Sequence, residues 1–343
     1  MKISELIKKY DTQNQYNVLI ESYKQIENTW DTEINPNKIQ VNELNNIVVS
    51  GMGGSAISGD LLKCFLNEEI KIPLIVNRYY SVPDYANPKT LVIISSYSGN
   101  TEESILSLQD ALKKKCGIIV ISTGGKVKEI AQQNNLPWIR LQEGFQPRYA
   151  LGTSFFTLLK LLQSLKLIQE QDNIVNEIIA LWKEKGSEYS REENPALDYA
   201  EQLTGFIPLI YTSSVFESIG YRLKCQFNEN SKLHAFNNVL PELNHNEIIG
   251  WETFLDKQIN LKLITVTDKN YHPKINKRFE ITSELAKAAG VEIISLQSNS
   301  ENLKVRIMDL IYLGDWITYY LAVLRGFDPS EINNINILKQ RLA

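Results

Sequence analysis

Along residues 46–141, short apolar runs at 46–50, 73–77, 91–95, 117–121 and 137–141 alternate with longer segments at 55–68, 101–115 and 125–134, where apolar positions recur at helical spacing. The runs are too short for helices and rich in β-branched residues, as in Ile47-Val48-Val49 and Leu91-Val92-Ile93-Ile94, so they predict buried strands. Such alternation predicts a parallel sheet flanked by helices. Ahead of it, residues 1 to about 40 read as helix and loop: Ile3, Leu6, Ile7 and Tyr10 share a helical face, and a polar stretch surrounds Asn35-Pro36-Asn37. Residues 153–204 carry long helical periodicity with no strand pattern, opening at the capping hydroxyls of Thr153 or Ser154 and running through Leu158, Leu159 and Leu162. A second alternation follows, with strands at 206–212, 262–267 and 292–296, helices at 216–227, 274–289 and 303–325, and a helix-like segment at 244–256. It resembles the first in architecture, with no visible repeat of sequence.

The runs at 46–50 and 91–95 end in Gly/Ser clusters, Ser50-Gly51-Met52-Gly53-Gly54-Ser55 and Ser95-Ser96-Tyr97-Ser98-Gly99-Asn100-Thr101. Close backbone approach, free N–H groups and the positive end of a helix dipole coincide at such places, which is the chemistry of an anion cradle. Hydroxyls at Ser55, Ser96, Ser98 and Thr101 add donors suited to a phosphate. Both clusters fall at the carboxyl ends of strands, where open parallel sheets bind ligands. Glu102 and Glu103 follow directly, and in a first helical turn they can face solvent and favour the dipole. The glycines do not form a dinucleotide fingerprint, and no Gly-Lys-Ser/Thr ending makes a nucleotide loop.

With 343 residues, two domains are expected. Lys plus Arg number 36 against 40 Asp plus Glu, so a formal charge of -4 turns the reading away from nucleic acid and toward a small ligand. Cys64, Cys116 and Cys225 are far apart and odd in number, which fits a reducing cytoplasm rather than a disulfide framework. The charged start, and the interruption of the apolar segment 310–324 by Asp315, argue against a signal peptide or a membrane span.

Downstream of the cradle, Gln226-Phe227-Asn228-Glu229-Asn230-Ser231-Lys232 sets a carboxylate between two asparagines after a helix carrying Ile219, Leu223 and Phe227. Partial burial there would raise a carboxyl toward the range of a base for a carbon acid. His245, in Glu242-Leu243-Asn244-His245-Asn246-Glu247, has Asn and Glu neighbours able to orient its ring. His234 and His272 have weaker polar contexts, and the three histidines show no metal-ligand spacing, so no metal is expected. Arg148, in a turn after the last strand of the first alternation, can place a planar cation over the ligand mouth. Lys339, in the helical pattern Ile335-Asn336-Ile337-Leu338-Lys339, is by itself an ordinary solvated lysine.

Taken together, Gly51-Met52-Gly53-Gly54-Ser55-Ala56, Ser96-Tyr97-Ser98-Gly99-Asn100-Thr101-Glu102-Glu103, Pro147-Arg148, Asn228-Glu229-Asn230 and Glu242-Leu243-Asn244-His245-Asn246-Glu247 resemble the bifunctional phosphoglucose/phosphomannose isomerases, sugar isomerase (SIS) proteins with two SIS domains. The resemblance covers the whole chain in order. It implies that Gly54, Ser55, Ser96, Ser98 and Thr101 hold the sugar phosphate, that Arg148 steadies an enediolate, and that Glu229 is the base. It further implies that His245 opens the sugar ring from the neighbouring subunit of an obligatory homodimer, and that Lys339 assists. Ser330 stands where the family carries a Thr associated with accommodating mannose-type substrates.

The expected architecture is therefore α/β, with two SIS-type doubly wound parallel-sheet domains flanked by helices. Its divisions are an N-terminal helical extension (1–40), a first SIS domain (41–152), a helical connector (153–204), a second SIS domain (205–327) and a C-terminal helix at the active site (328–343). The expected activity is cofactor-free, metal-independent interconversion of glucose 6-phosphate and mannose 6-phosphate with fructose 6-phosphate, in the cytoplasm and without nucleic-acid or membrane partners. Two alternatives stay open: a sugar-phosphate-binding SIS regulator, which needs the cradle but neither Glu229 nor His245, and an isomerase of another sugar phosphate.

Overall fold

A computed structural model describes residues 2–34, 43–254 and 259–342. The polar stretch at Asn35-Pro36-Asn37, the boundary expected at 40 and the last two residues of the helix-like segment 244–256 lie outside the described residues. The chain forms two compact units, one of residues 21–180 and one of residues 1–20 with 181–343.

Three helices open the chain, α1 (Ile3–Tyr10) and α2 (Gln15–Ile20) in the unit of residues 1–20 with 181–343 and α3 (Ser22–Asp31) in the 21–180 unit. The 21–180 unit continues through β1 (Asn46–Ser50), α4 (Gly53–Phe65), β2 (Leu74–Asn77), β3 (Thr90–Ser95), α5 (Glu102–Lys113), β4 (Gly117–Ser122), α6 (Gly125–Gln133) and β5 (Trp138–Arg140). A 3₁₀ turn at Pro147–Tyr149 leads into α7 (Leu151–Ser164), and α8 (Asp172–Tyr189) follows. The sheet is parallel throughout with order β2-β1-β3-β4-β5. Strand residues alternate between its faces. Val48, Val92, Ile94 and Val120 meet Leu108 and Ala111 of α5 and Val127, Ile130 and Ala131 of α6. On the other face α4 presses Gly59 against Val49 and Val76, where a Cβ would come within 3.0 Å of both side chains. Helix α7 begins at Leu151 after Ala150, so Thr153 and Ser154 lie inside its first turn rather than capping it. The loop before it sets that start: Pro147–Tyr149 already turns helically, and Ser154 N–H bonds the Ala150 carbonyl at 2.9 Å.

The other unit contains α9 (Pro195–Gln202), β6 (Ile207–Ser213), α10 (Glu217–Glu229), β7 (Phe236–Leu240), β8 (Leu261–Val266), α11 (Pro273–Ala288), β9 (Glu292–Leu296), α12 (Leu303–Leu324) and α13 (Asn333–Leu342). Its parallel sheet has order β7-β6-β8-β9, the same winding as the first without a fifth strand. Helix α12 is the core of this unit: Ile307, Met308, Trp316, Ile317, Tyr319 and Tyr320 are almost fully buried. Strand β7 is an element the hydrophobic pattern did not predict. The segment expected to be helix-like at 244–256 is instead two 3₁₀ turns, Glu242–His245 and Glu247–Glu252, in its described part. The Asn246 side chain bonds within these turns, its Nδ2 donating to Glu242 Oε1 and its Oδ1 accepting the Glu247 N–H, which competes with a helical ladder.

Candidate functional site

In the first sheet the strand order reverses between β1 and β3, and ligands of open parallel sheets bind at the carboxyl ends beside such a reversal. The chain leaves β1 through Gly51 into α4 and leaves β3 through Ser96 into α5. The first N–H groups of both helices have no partner within their own helix. Glycine is required twice for closeness: a Cβ on Gly51 would stand 2.4 Å from the Ser95 carbonyl oxygen, and one on Gly54 2.7 Å from that of Pro147. The Tyr97 N–H donates to Ser55 Oγ at 3.1 Å, which ties one cluster to the other. Ser96 Oγ donates to Thr101 Oγ1 at 3.2 Å, and Asn100 N–H donates to Ser98 Oγ at 3.3 Å. Ser55 and Ser96 are buried, Gly54 and Thr101 half-buried and Ser98 exposed. Thr101 stands at the start of α5, yet its side chain caps none of that helix's N–H groups. Glu102, exposed in that first turn, points its charge at solvent.

The turn that carries Arg148 packs against the start of α4. That turn is held from two sides: Tyr97 Oη donates to the Gln142 carbonyl at 3.0 Å and accepts the Phe145 N–H at 3.1 Å, while Gln25 Nε2 donates to the Tyr149 carbonyl at 2.9 Å. Arg148 is only 3% exposed, and a Cβ on Gly54 would lie 3.5 Å from its backbone nitrogen. Its guanidinium lies over the Tyr149 ring, 5.4 Å from the centroid, and a buried cation in the turn against the start of α4 is suited to an anion.

The remaining candidates belong to the unit of residues 1–20 and 181–343. Glu229 closes α10 and is half-buried. Beneath it, Arg222 Nη2 meets both carboxylate oxygens of Asp315 at 2.9 and 2.7 Å, and Gln226 Nε2 donates to the same carboxylate at 2.7 Å. Burial pushes the Asp315 carboxyl up, and the Arg222 charge opposes it. Asn230 Nδ2 donates to Thr318 Oγ1 at 3.1 Å, and Ser231 Oγ donates to the Thr318 carbonyl at 2.7 Å, so the turn after Glu229 is pinned to α12.

His245 is exposed at the end of its 3₁₀ turn. The expectation that neighbouring Asn and Glu groups orient its ring is corrected, because those side chains hold the turn instead. Asn244 Nδ2 donates to Thr282 Oγ1 at 2.9 Å and its Oδ1 accepts Arg278 Nη1 at 3.2 Å, while Asn246 Nδ2 donates to Glu242 Oε1 at 3.1 Å. Glu247 is fixed by Tyr211 Oη at 2.7 Å and Asn238 Nδ2 at 2.5 Å. His272 caps α11 by accepting the Lys274 N–H at 3.2 Å. Ser330 is 1% exposed, and its Oγ has no partner among the described residues. Lys339 lies on α13, every residue of which is exposed. The cradle and Arg148 thus sit together in one unit, and Glu229, His245, Ser330 and Lys339 lie in the other.

Sequence reasoning gave no role to Asp315, Arg222 and Gln226, and read Glu247 only as a neighbour of His245. Asp315 had a signal, a single acid inside an otherwise apolar segment, and Arg222 with Gln226 stand one helical turn apart. The second sheet also reverses, between β6 and β8, but aromatic side chains follow both strands there. Phe216 is fully buried there and meets the Tyr271 ring edge-on at 5.3 Å, Glu217 opens α10, and Asp268 bonds Arg306 Nε at 2.6 Å.

Residues 192–342 match the family described as the bacterial phospho-glucose isomerase C-terminal SIS domain. A protein of Caldicellulosiruptor bescii named bifunctional phosphoglucose/phosphomannose isomerase is 40% identical over 310 residues, 89% of this chain and 91% of that protein. One of the same name from Aquifex aeolicus is 32% identical over 299 residues, 86% of this chain and 90% of its own. Among solved structures, a hypothetical protein of Thermus thermophilus superposes with a TM-score of 0.76 at 15% identity, covering 99% of this chain and 94% of that one, a likeness of fold.

Proposed function

The chain belongs to the bifunctional phosphoglucose/phosphomannose isomerase family, and on that premise we propose that it interconverts glucose 6-phosphate and mannose 6-phosphate with fructose 6-phosphate. The observation that carries the reading is the gathering of Gly54, Ser55, Ser96, Thr101 and buried Arg148 around the strand reversal of the first sheet. Phosphate is anchored there by Ser55, Ser96, Ser98, Thr101 and the free N–H groups of α4 and α5. His245 and Lys339 open the sugar ring. Glu229 takes the proton from C2 of the open aldose, the electron pair forms the C1–C2 double bond of a cis-enediolate, the hydroxyl proton passes from O2 to O1, and the proton on Glu229 is delivered to C1 as the C2 carbonyl of the ketose forms. Arg148 balances the negative charge that develops on the enediolate oxygens, a contribution of about 2.7 to 4 kcal/mol for one well-placed donor. Glucose and mannose phosphates share that enediolate, so one base serves both, with Ser330 at the position expected to tolerate either configuration at C2.

The reading includes the domain limits drawn from the sequence, a cytoplasmic enzyme, and a homodimer in which His245 serves a second copy. Exposure of His245, and of Ile249 at 59% close to it, supports that last part. A coupled assay that starts from fructose 6-phosphate and follows the two aldose phosphates separately, with a chelator present, tests the function. Both products are expected at undiminished rates in chelator. Glu229→Gln is expected to lower both rates by about 10²- to 10⁴-fold while phosphate-ester binding persists. Turnover retained in that variant would remove the base, and binding without turnover in the unaltered chain would leave a regulator.

A further inference from the structure

Lys232 follows Glu229 by three residues and has φ of 52°, the left-handed region that residues with a side chain seldom adopt. That conformation folds the side chain back over the end of α10. Its Nζ donates to the carbonyl of Glu229 at 2.7 Å, to that of Asn230 at 3.2 Å, and to that of Asp328 at 2.7 Å. The first two acceptors are the ordinary business of a cation at a helix C-terminus. The third is not, because Asp328 lies 96 residues further along the chain. Asp328 is itself a fixed point: its carboxylate accepts the Ser330 N–H at 2.6 Å and the Thr12 hydroxyl. Arg325 Nη1 donates to the Ser231 carbonyl alongside. One ammonium therefore joins the turn that carries Glu229 to the segment that carries buried Ser330 and runs on to α13 and Lys339.

We propose that Lys232 is a positioning residue for the isomerisation, setting the backbone from which Glu229 projects and holding it in register with the C-terminal segment. The proposal rests on the reading of Glu229 as the base. Lys232 touches no reacting atom in this scheme. Its removal lets the Glu229 carboxylate drift from the carbon it serves and leaves the phosphate anchors untouched, so the loss falls on kcat rather than on KM. A displacement of about 1 Å at a reacting group costs about 100-fold in rate.

The test is steady-state kinetics of the full chain with fructose 6-phosphate for Lys232→Met, which keeps the apolar stem and removes the donor. Lys232→Arg and Glu229→Gln are measured beside it, with limited proteolysis at the segment after Asp328. Lys232→Met is expected to lose about 100-fold in kcat with KM nearly unchanged, and to be cut faster after residue 328. Lys232→Arg, which keeps a cation able to reach carbonyls, is expected to recover a large part of kcat and of the protease resistance. Unchanged kcat in a folded Lys232→Met, or a rise in KM that accounts for the whole loss, overturns the proposal. If Lys232→Met does not fold, Lys232→Gln is measured in its place, and the same loss of kcat supports the proposal while the same lack of change overturns it. Glu229→Gln separates the two claims: activity in that variant removes the base itself, whereas an inactive Glu229→Gln beside a fully active Lys232→Met overturns the role of Lys232 alone.

Discussion

Gly51 and Gly54 are the residues at which a single methyl group decides the shape of the anion site. A Cβ on Gly54 would meet the Pro147 carbonyl oxygen at 2.7 Å, and that oxygen belongs to the backbone of the turn carrying Arg148, so it cannot swing aside as a side chain would. Gly54→Ala is expected to cost about 1 to 3 kcal/mol of stability, read by denaturant unfolding, and to raise KM for sugar phosphates as Arg148 is pushed outward. A substitution that changes neither would mean that the turn yields freely. Both glycine-bearing clusters were legible in the sequence because their signature is local, small residues where an apolar strand stops. Glu229 was legible as a carboxylate set between amides. The burial of Arg148 was not, since the turn that carries it is held by Tyr97 and Gln25, 51 and 123 residues away in the chain. Lys232 was hidden for the same reason, because nothing near it in sequence announces Asp328.

Helices α10 and α12 form an element pair built around one buried charge pair. Arg222 and Asp315 are 3% and 6% exposed, with Gln226 adding a third hydrogen bond. Removing one partner strands the other in the core. Asp315→Leu is expected to destabilise by about 3 to 5 kcal/mol, and the double variant Arg222→Met with Asp315→Leu to recover most of that, both read as shifts in the unfolding midpoint. An equal loss in the single and double variants would show that the pair itself supplies the stability. Most helices and strands were legible at this scale because their apolar periodicity is uninterrupted. Strand β7 was not: its run Phe236-Asn237-Asn238-Val239-Leu240 holds two asparagines, poor strand formers, and it pairs only with β6 at the sheet edge. Asn238 is kept there by the Glu247 carboxylate it binds, a contact that secondary-structure patterns do not encode.

Across the whole molecule, acid changes the stability through groups that the interior holds away from water. Asp309 on α12 accepts the Ser298 hydroxyl at 2.5 Å, and burial pushes its carboxyl above the ordinary value of 3.8. The folded chain therefore holds this proton more tightly than the unfolded one. The stability so contributed is full below 3.8 and fades as pH rises through the folded-state value. Asp309→Asn is expected to unfold at a higher temperature than the unaltered chain near neutral pH, with the difference shrinking as pH falls toward that ordinary value; a difference independent of pH would assign the effect to packing. The repeated winding of the two sheets was legible as alternation, but their unequal use was not, because it depends on which side chains stand at each reversal. With Phe216 buried edge-on against Tyr271 at the second reversal and the Glu217 carboxylate in the first turn of its helix, two sheets of like winding offer an anion unequal berths. Calorimetric titration with a sugar phosphate should accordingly saturate at one equivalent per polypeptide, and a second equivalent would mean that the second reversal takes an anion as well.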